Sequence, residues 1–198
     1  FNYNYDNDVW KDKRIRQAIM YGIDRESILR DVFNGAAQAT PCQDPYPTFW
    51  PEDANYYEYN PQMARDLLAE AAADGVTLDG INLDIPTYYT GQLAKDILTV
   101  MQANLADVGV NVNPTFLDVP TWRTVVQDNS TEWNIAYRGA GGGPASYGSG
   151  WYLEDTSAQS QLFVQDAAYV DLWAAMDASQ TPEEYKAART AVCKYQNE

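Results

Sequence analysis

The stretch 81–137 constrains the fold most, because its apolar periodicity switches repeatedly between two spacings. Ile81-Asn82-Leu83-Asp84-Ile85 alternates apolar and polar residues, the period of a half-buried strand. From Gln92 to Val108, the residues Leu93, Ile97, Met101, Leu105 and Val108 recur at helical spacing, and Gly109 is placed to end the helix. Val110-Asn111-Val112-Asn113 alternates again and runs on to Phe116-Leu117. Asp118 then caps a short helix through Trp122, Val125 and Val126, and Trp133 to Tyr137 reads as a third strand. Strand, helix and strand with short joins predict a right-handed βαβ unit with parallel strands, and hence an α/β fold.

In open α/β sheets, ligands bind beyond the carboxyl ends of the strands. Two stretches occupy such positions. Thr87-Tyr88-Tyr89-Thr90 follows the first strand. Arg138-Gly139-Ala140-Gly141-Gly142-Gly143-Pro144-Ala145-Ser146-Tyr147-Gly148-Ser149-Gly150 follows the third, and six of these thirteen residues are glycine. Glycine suits backbone that bends sharply or passes close to another group. Tyr88, Tyr89, Arg138, Gly139, Ala140, Gly141, Gly142, Gly143 and Tyr147 are therefore candidate ligand-binding residues; Trp151, next after the second stretch, joins them through the resemblance given below.

The other segments are mainly helical. Residues 9–35 read as two helices, the first with Ile15, Ala18, Ile19 and Gly22 at helical spacing. The second is capped by Asp24, buries Ile28, Leu29, Val32 and Phe33, and stops at Gly35. Lys11, Lys13, Arg14, Arg16, Arg25 and Arg30 cluster here and are expected on solvated faces, paired with nearby acids. Residues 36–60 hold four prolines (41, 45, 47 and 51) and the aromatics Tyr46, Phe49, Trp50, Tyr56, Tyr57 and Tyr59, so this connection should be irregular yet packed. Asn60-Pro61 opens a helix with Asn at N-cap and Pro at N1. Gln165 to Ala178 is expected to be helical. Thr181-Pro182-Glu183-Glu184 is a capping box starting a last helix that buries Tyr185, Ala188, Val192 and Tyr195.

Composition removes several function classes. A formal net charge of −15 repels phosphate, which argues against nucleic acid as a partner. With no histidine, the chain has no Ser-His-Asp or Cys-His nucleophile and no His-ligated metal. Its two cysteines, Cys42 and Cys193, either pair or remain buried thiols; spacing does not choose between these. The glycine stretch lacks the lysine of a phosphate loop, and Pro144 breaks a dinucleotide-binding pattern. A carboxylate-dependent hydrolase would need two acids converging at strand ends, and no such pair stands there. Fifteen Tyr and six Trp, each with an apolar face and a polar tip, suit binding better than catalysis. No metal, cofactor or catalytic residue is expected.

One run of residues is more specific. Ile15-Arg16-Gln17-Ala18 followed by Tyr21-Gly22-Ile23-Asp24-Arg25 resembles a signature of the family 5 extracellular solute-binding proteins, the substrate-capturing components of peptide, nickel and related ABC importers. Tyr59-Asn60-Pro61-Gln62-Met63-Ala64-Arg65-Asp66-Leu67-Leu68-Ala69-Glu70-Ala71 resembles a second element of that family. Leu105-Ala106-Asp107-Val108-Gly109-Val110-Asn111-Val112 resembles a third, in the same order.

The resemblance implies a periplasmic-binding-protein type II-like lobe, a small mixed sheet with flanking helices. It implies that residues 1–198 form a single domain, the second, inserted lobe of a two-lobed protein. The start at Phe1, without a signal peptide, and neighbouring termini would follow. It further implies solute capture by closure of the two lobes and delivery to ABC permease subunits. The location would be extracellular, either cell-surface anchored or periplasmic, and that location favours a Cys42–Cys193 disulfide. Peptide binders of the family resemble Gly-Trp-x-x-Asp-Tyr after the third strand, with Asp accepting the peptide ammonium. Here Ala140 stands at the Trp position and Gly143 at the Asp position. Without that carboxylate, a charge-assisted anchor of about 1.5–3 kcal/mol is lost. Oligopeptide is the first expected solute. Oligosaccharide is the alternative, stacked on Tyr147, Trp151 and Tyr152.

Overall fold

The computed structural model describes residues 2–4, 7–42, 44, 46–79, 83–128, 133–137 and 167–197. They fall into two compact units, Phe1–Ala39 with Tyr57–Arg138, and Thr40–Tyr56 with Gly139–Glu198. The aromatic connection belongs, over Thr40–Tyr56, to the same unit as the last helices.

The first unit holds two two-stranded sheets. Its strands are β1 (Asn2–Tyr3), β2 (Leu83–Thr87), β3 (Val112–Phe116) and β4 (Ile135–Ala136). β2 and β3 pair in parallel, Leu83 opposite Val112 and Thr87 opposite Phe116. β1 pairs antiparallel with β4, Tyr3 opposite Ile135. Tyr137 N–H donates to Pro86 O at 3.3 Å, so β4 runs beside the end of β2. The parallel β2–β3 pair matches the sequence reading. The N-terminal strand does not, because a two-residue strand has no periodicity to detect. β2 also runs past Ile85 through Pro86 to Thr87. Pro86 gives up a donor there, but its carbonyl is used twice, by Tyr137 N–H and by the Trp122 indole at 3.2 Å.

The helices of this unit are α1 (Lys13–Tyr21), α2 (Arg25–Ser27, continuing as a π-helical turn over Ile28–Val32), α3 (Pro61–Ala73), α4 (Gln92–Asp107) and α5 (Val119–Arg123). Their starts are capped as expected. Asp24 accepts from Ser27 N–H at 2.9 Å, Asn60 from Met63 N–H at 3.0 Å and Asp118 from Thr121 N–H at 2.8 Å. Gly75 and Gly109 end α3 and α4 with φ of 84° and 86°, where a side chain would be strained. The core lies among α1, α3, α4 and the sheets, and includes Trp10, Ile15, Ile19, Ala64, Ile85 and Leu105.

Two expectations are corrected. Leu93 is 49% exposed, because the first turn of α4 extends beyond the core. Arg25 is not on a solvated face. It is half-buried, donating to Tyr57 O at 2.9 Å and to Met20 Sδ at 3.2 Å, and burial pulls its pKa down. The pairs Lys11–Asp8, Arg14–Asp12 and Arg30–Asp31 do follow the expected pattern.

The second unit contains α6 (Ala167–Asp177) and α7 (Pro182–Asn197), with Trp173, Met176, Val192 and Cys193 buried. Thr181 and Glu184 form the capping box reciprocally, at 3.1 and 3.2 Å. The segment 40–56 is strapped along α7. Cys42 and Cys193 form a disulfide with Cα atoms 5.4 Å apart. Asp44 and Arg189 form a buried ion pair, whose second hydrogen bond is 3.1 Å. Asn197 bridges Pro41 O and Asn55 O, and accepts from Asn55 N–H at 2.8 Å.

Candidate functional site: an aromatic platform at the strand ends

The residues after β2 do what a strand end in an α/β sheet allows. Thr87 is fully buried, and both its side chain and its carbonyl are used. Its hydroxyl accepts from Tyr89 N–H at 3.1 Å, and its carbonyl accepts from Leu117 N–H at 2.9 Å. The second bond extends the β2–β3 ladder, and the first accompanies a bend in the chain at Tyr88, just past the strand. The rings of Tyr88 and Tyr89 lie 4.6 Å apart and tilted by 45°.

Two further rings complete the group. The Trp122 indole meets Tyr88 edge-on, 5.0 Å between centroids and 85° between planes. Tyr137, one residue past β4, meets Tyr89 at 6.0 Å and 69°. These are favourable edge-to-face arrangements. Burial, and then the neighbouring Tyr89, push the Tyr137 hydroxyl pKa up. It therefore stays protonated and can donate as well as accept.

The outer part of the platform is open. Tyr89 is 37% exposed and Phe116, at the end of β3, is 38% exposed. Leu93 and Val119, on the first turns of α4 and α5, are exposed too. Lys95 Nζ stands 5.7 Å from the centre of the Phe116 ring. A surface of this kind can stack on flat groups and cover apolar ones, with hydroxyls and one ammonium to orient them.

Of the residues expected to face a ligand, Tyr88 and Tyr89 are placed together on this platform. Arg138, Gly139, Ala140, Gly141, Gly142, Gly143, Tyr147 and Trp151 lie outside the described residues. Trp122, Tyr137 and Phe116 were missed as site residues. The signal for Phe116 and Tyr137 was present, since each ends a strand on the same side as Tyr88. Nothing in the sequence marked Trp122 as more than a core residue of its helix. Among the described residues, no group of three or more Asp, Glu, Cys or His side chains is placed to hold a metal ion. No helix among them is long and apolar enough to cross a membrane.

The sequence profile of the bacterial extracellular solute-binding proteins, family 5, middle region, matches residues 1–160. The chain belongs to this family. Among family 5 relatives, a putative ABC transporter peptide-binding protein of Brucella ovis is 34% identical over 145 residues, which is 72% of this chain and 27% of that protein. The oligopeptide-binding protein AppA of Bacillus subtilis is 28% identical over 67% of this chain and 26% of its own length. The chain thus spans about a quarter of the curated relatives it matches. Those relatives are solute-binding proteins.

Solved structures of the family share the fold. Bacillus subtilis AppA in complex with a nonapeptide superposes with a TM-score of 0.77 at 23% identity, covering 98% of this chain and 41% of that one. A mannohexaose-bound periplasmic oligopeptide-binding protein of Thermotoga maritima gives 0.78 at 17% identity, again covering 98% and 41%. This chain therefore has the mixed α/β fold of these solute-binding proteins, with small sheets and flanking helices.

Proposed function

We propose that this chain is the second, inserted lobe of a two-lobed protein that captures a solute for an ABC importer, with oligopeptide as the solute. Membership of family 5 supports the capture role, and the open aromatic platform at the carboxyl ends of β2, β3 and β4 is the observation that carries it here. The platform offers stacking faces, hydroxyl groups and Lys95, which suit the binding of a solute. The protein would act outside the cytoplasmic membrane, in the periplasm or anchored at the cell surface. Its partners would be the solute and the permease subunits. The two lobes would close on the solute around a hinge.

Oligosaccharide is a second reading. The exposed faces of Tyr89 and Phe116 favour it, since sugar rings stack on aromatic faces. One related fold was solved with mannohexaose bound.

The deciding experiment is calorimetric titration of the intact two-lobed protein with synthetic peptides of two to nine residues and with mannohexaose. Peptide binding that weakens in Tyr89→Ala supports the first reading, and mannohexaose binding that weakens in the same variant supports the second. If neither probe binds, or if Tyr89→Ala leaves affinity unchanged, the platform is not the site.

A further inference from the structure

The platform rings form a chain, Trp122 to Tyr88 to Tyr89 to Tyr137, and access to solvent rises along its first three members. Trp122 is 3% exposed, Tyr88 is half-buried and Tyr89 is open. We propose that Trp122 is a positioning residue for solute capture: its indole, bonded to the Pro86 carbonyl, holds the solute-facing ring of Tyr89 in place through Tyr88. This inference rests on the reading of the platform as the solute-facing surface.

Three observations carry it. First, Trp122 is buried yet is not a member of the continuous apolar cluster, which draws on α1, α3, α4 and strands β2, β3 and β4. Its ring contact is with the platform, at Tyr88. Second, its own position is tied to the strand it supports. The Asp118 side chain caps α5, and the preceding Leu117 N–H bonds to Thr87 O at 2.9 Å. Third, the Trp122 indole N–H and the Tyr137 backbone N–H converge on one acceptor, Pro86 O, at 3.2 and 3.3 Å. The Pro86–Thr87 peptide unit, one residue before Tyr88, is thus pinned by two donors, one from a side chain that also backs the first ring.

The consequence for binding is pre-organisation. A tyrosine at a strand end without backing samples several rotamers, and ordering it on contact with a solute costs affinity. Backed by Tyr88 and Trp122, Tyr89 has that order before the solute arrives. Trp122→Phe keeps a ring but removes the indole N–H, so Pro86 O loses one donor and the Tyr88 backing loosens. Solute affinity should fall about two- to tenfold, the range for ordering one such side chain.

A double-mutant cycle on the intact protein tests this, with a synthetic nonapeptide and mannohexaose as probes and ligand-free thermal unfolding measured in parallel. The expected result is that Tyr89→Ala weakens whichever probe binds and that Trp122→Phe weakens the same probe. In the Tyr89→Ala background, Trp122→Phe should then add nothing. A purely structural tryptophan would give losses that add in the double variant, or a lowered unfolding midpoint with unchanged affinity; either outcome overturns the proposal. Tyr88→Leu removes the relay ring and must show the same non-additivity with Tyr89→Ala, which keeps the test decisive if Trp122→Phe does not fold. If neither probe binds the wild-type protein, or Tyr89→Ala has no effect on binding, the platform reading fails and this inference fails with it.

Discussion

Breaking the Cys42–Cys193 bond should detach the segment 40–56 from α7 while leaving the sheet unit in place. The two cysteines are 151 residues apart in sequence. A cross-link closing a loop of that length limits the unfolded chain by about 5 kcal/mol on the chain-entropy estimate, and measured values usually fall below it. What remains after reduction is weaker. The Asp44–Arg189 pair is buried, and such pairs contribute little net stability because desolvation offsets their attraction. Lys194–Asp53 is an exposed pair of the kind worth little. Loss of the disulfide, in a Cys42→Ser/Cys193→Ser variant or after reduction and alkylation, should therefore lower global stability by about 3–5 kcal/mol. Denaturant unfolding measures the total. Residue-resolved hydrogen exchange locates it: the Asn55 amide, which donates to Asn197 Oδ1, and the Trp50 amide, which donates to Pro47 O, should exchange faster. Amides of β2 and α4 should lose no more protection than that global loss, and less than Asn55 and Trp50. Unchanged exchange at Asn55 with both thiols fully alkylated would refute the strap. Equal acceleration in β2 and α4 would refute the division into two units.

Three further outcomes follow from local interactions. Asp44→Ala leaves the buried Arg189 guanidinium without its carboxylate and should cost about 3–5 kcal/mol in denaturant unfolding, whereas Asp44→Leu with Arg189→Met should cost much less; equal losses would contradict this account of the pair. Asn60→Ala removes the acceptor for Met63 N–H at the start of α3 and should cost about 1 kcal/mol, read as a lower denaturant midpoint with an unchanged slope. The hydrogen bond from Arg14 holds the Asp12 carboxyl below its usual pKa. Its folded pKa is depressed, so its contribution is complete above about pH 4 and is lost as pH falls through the folded value. Asn in its place still caps α1, so Asp12→Asn should be less stable than wild type at pH 7, and the two stability curves should converge towards about pH 2. Parallel curves would exclude the ion pair as the cause.

How much was legible in the sequence depended on whether a residue's role was local. Asn60, Asp24, Asp118 and the Thr181–Glu184 box act on amides within three residues, and each is readable from the sequence alone. The parallel pairing of β2 with β3 was readable because the period changes twice over thirty-five residues. β1 was not, since a two-residue strand is defined only by its partner residues, Ala136 opposite Asn2 and Ile135 opposite Tyr3. Arg189 was equally hidden. Its partner Asp44 and the Phe49 ring 4.0 Å from its guanidinium carbon come from the proline-rich connection, and nothing in α7 alone distinguishes Arg189 from a solvated arginine. Burial lowers its affinity for a proton, but Asp44 more than offsets that, leaving the pKa raised and the charge retained inside the second unit.

The candidate site shows the same limit from the other side. Helical spacing places Leu93 in the core with Ile97, Met101 and Leu105, and it is the member of that series left exposed. Strand alternation does not mark Phe116 as open, yet it lies beside Lys95 in partly open space. Both sit where an element has just passed the edge of the layer that would cover it: the last residue of β3 and the first turn of α4. Periodicity reports which side of an element is apolar, but not how far along the element the covering layer extends. A binding surface made of apolar residues just beyond that edge therefore looks, in sequence, like more core. Topology separates the two, because the carboxyl ends of the parallel strands β2 and β3 fall on one side and deliver Tyr89 and Phe116, while Tyr137 joins them through its bond to Pro86 O.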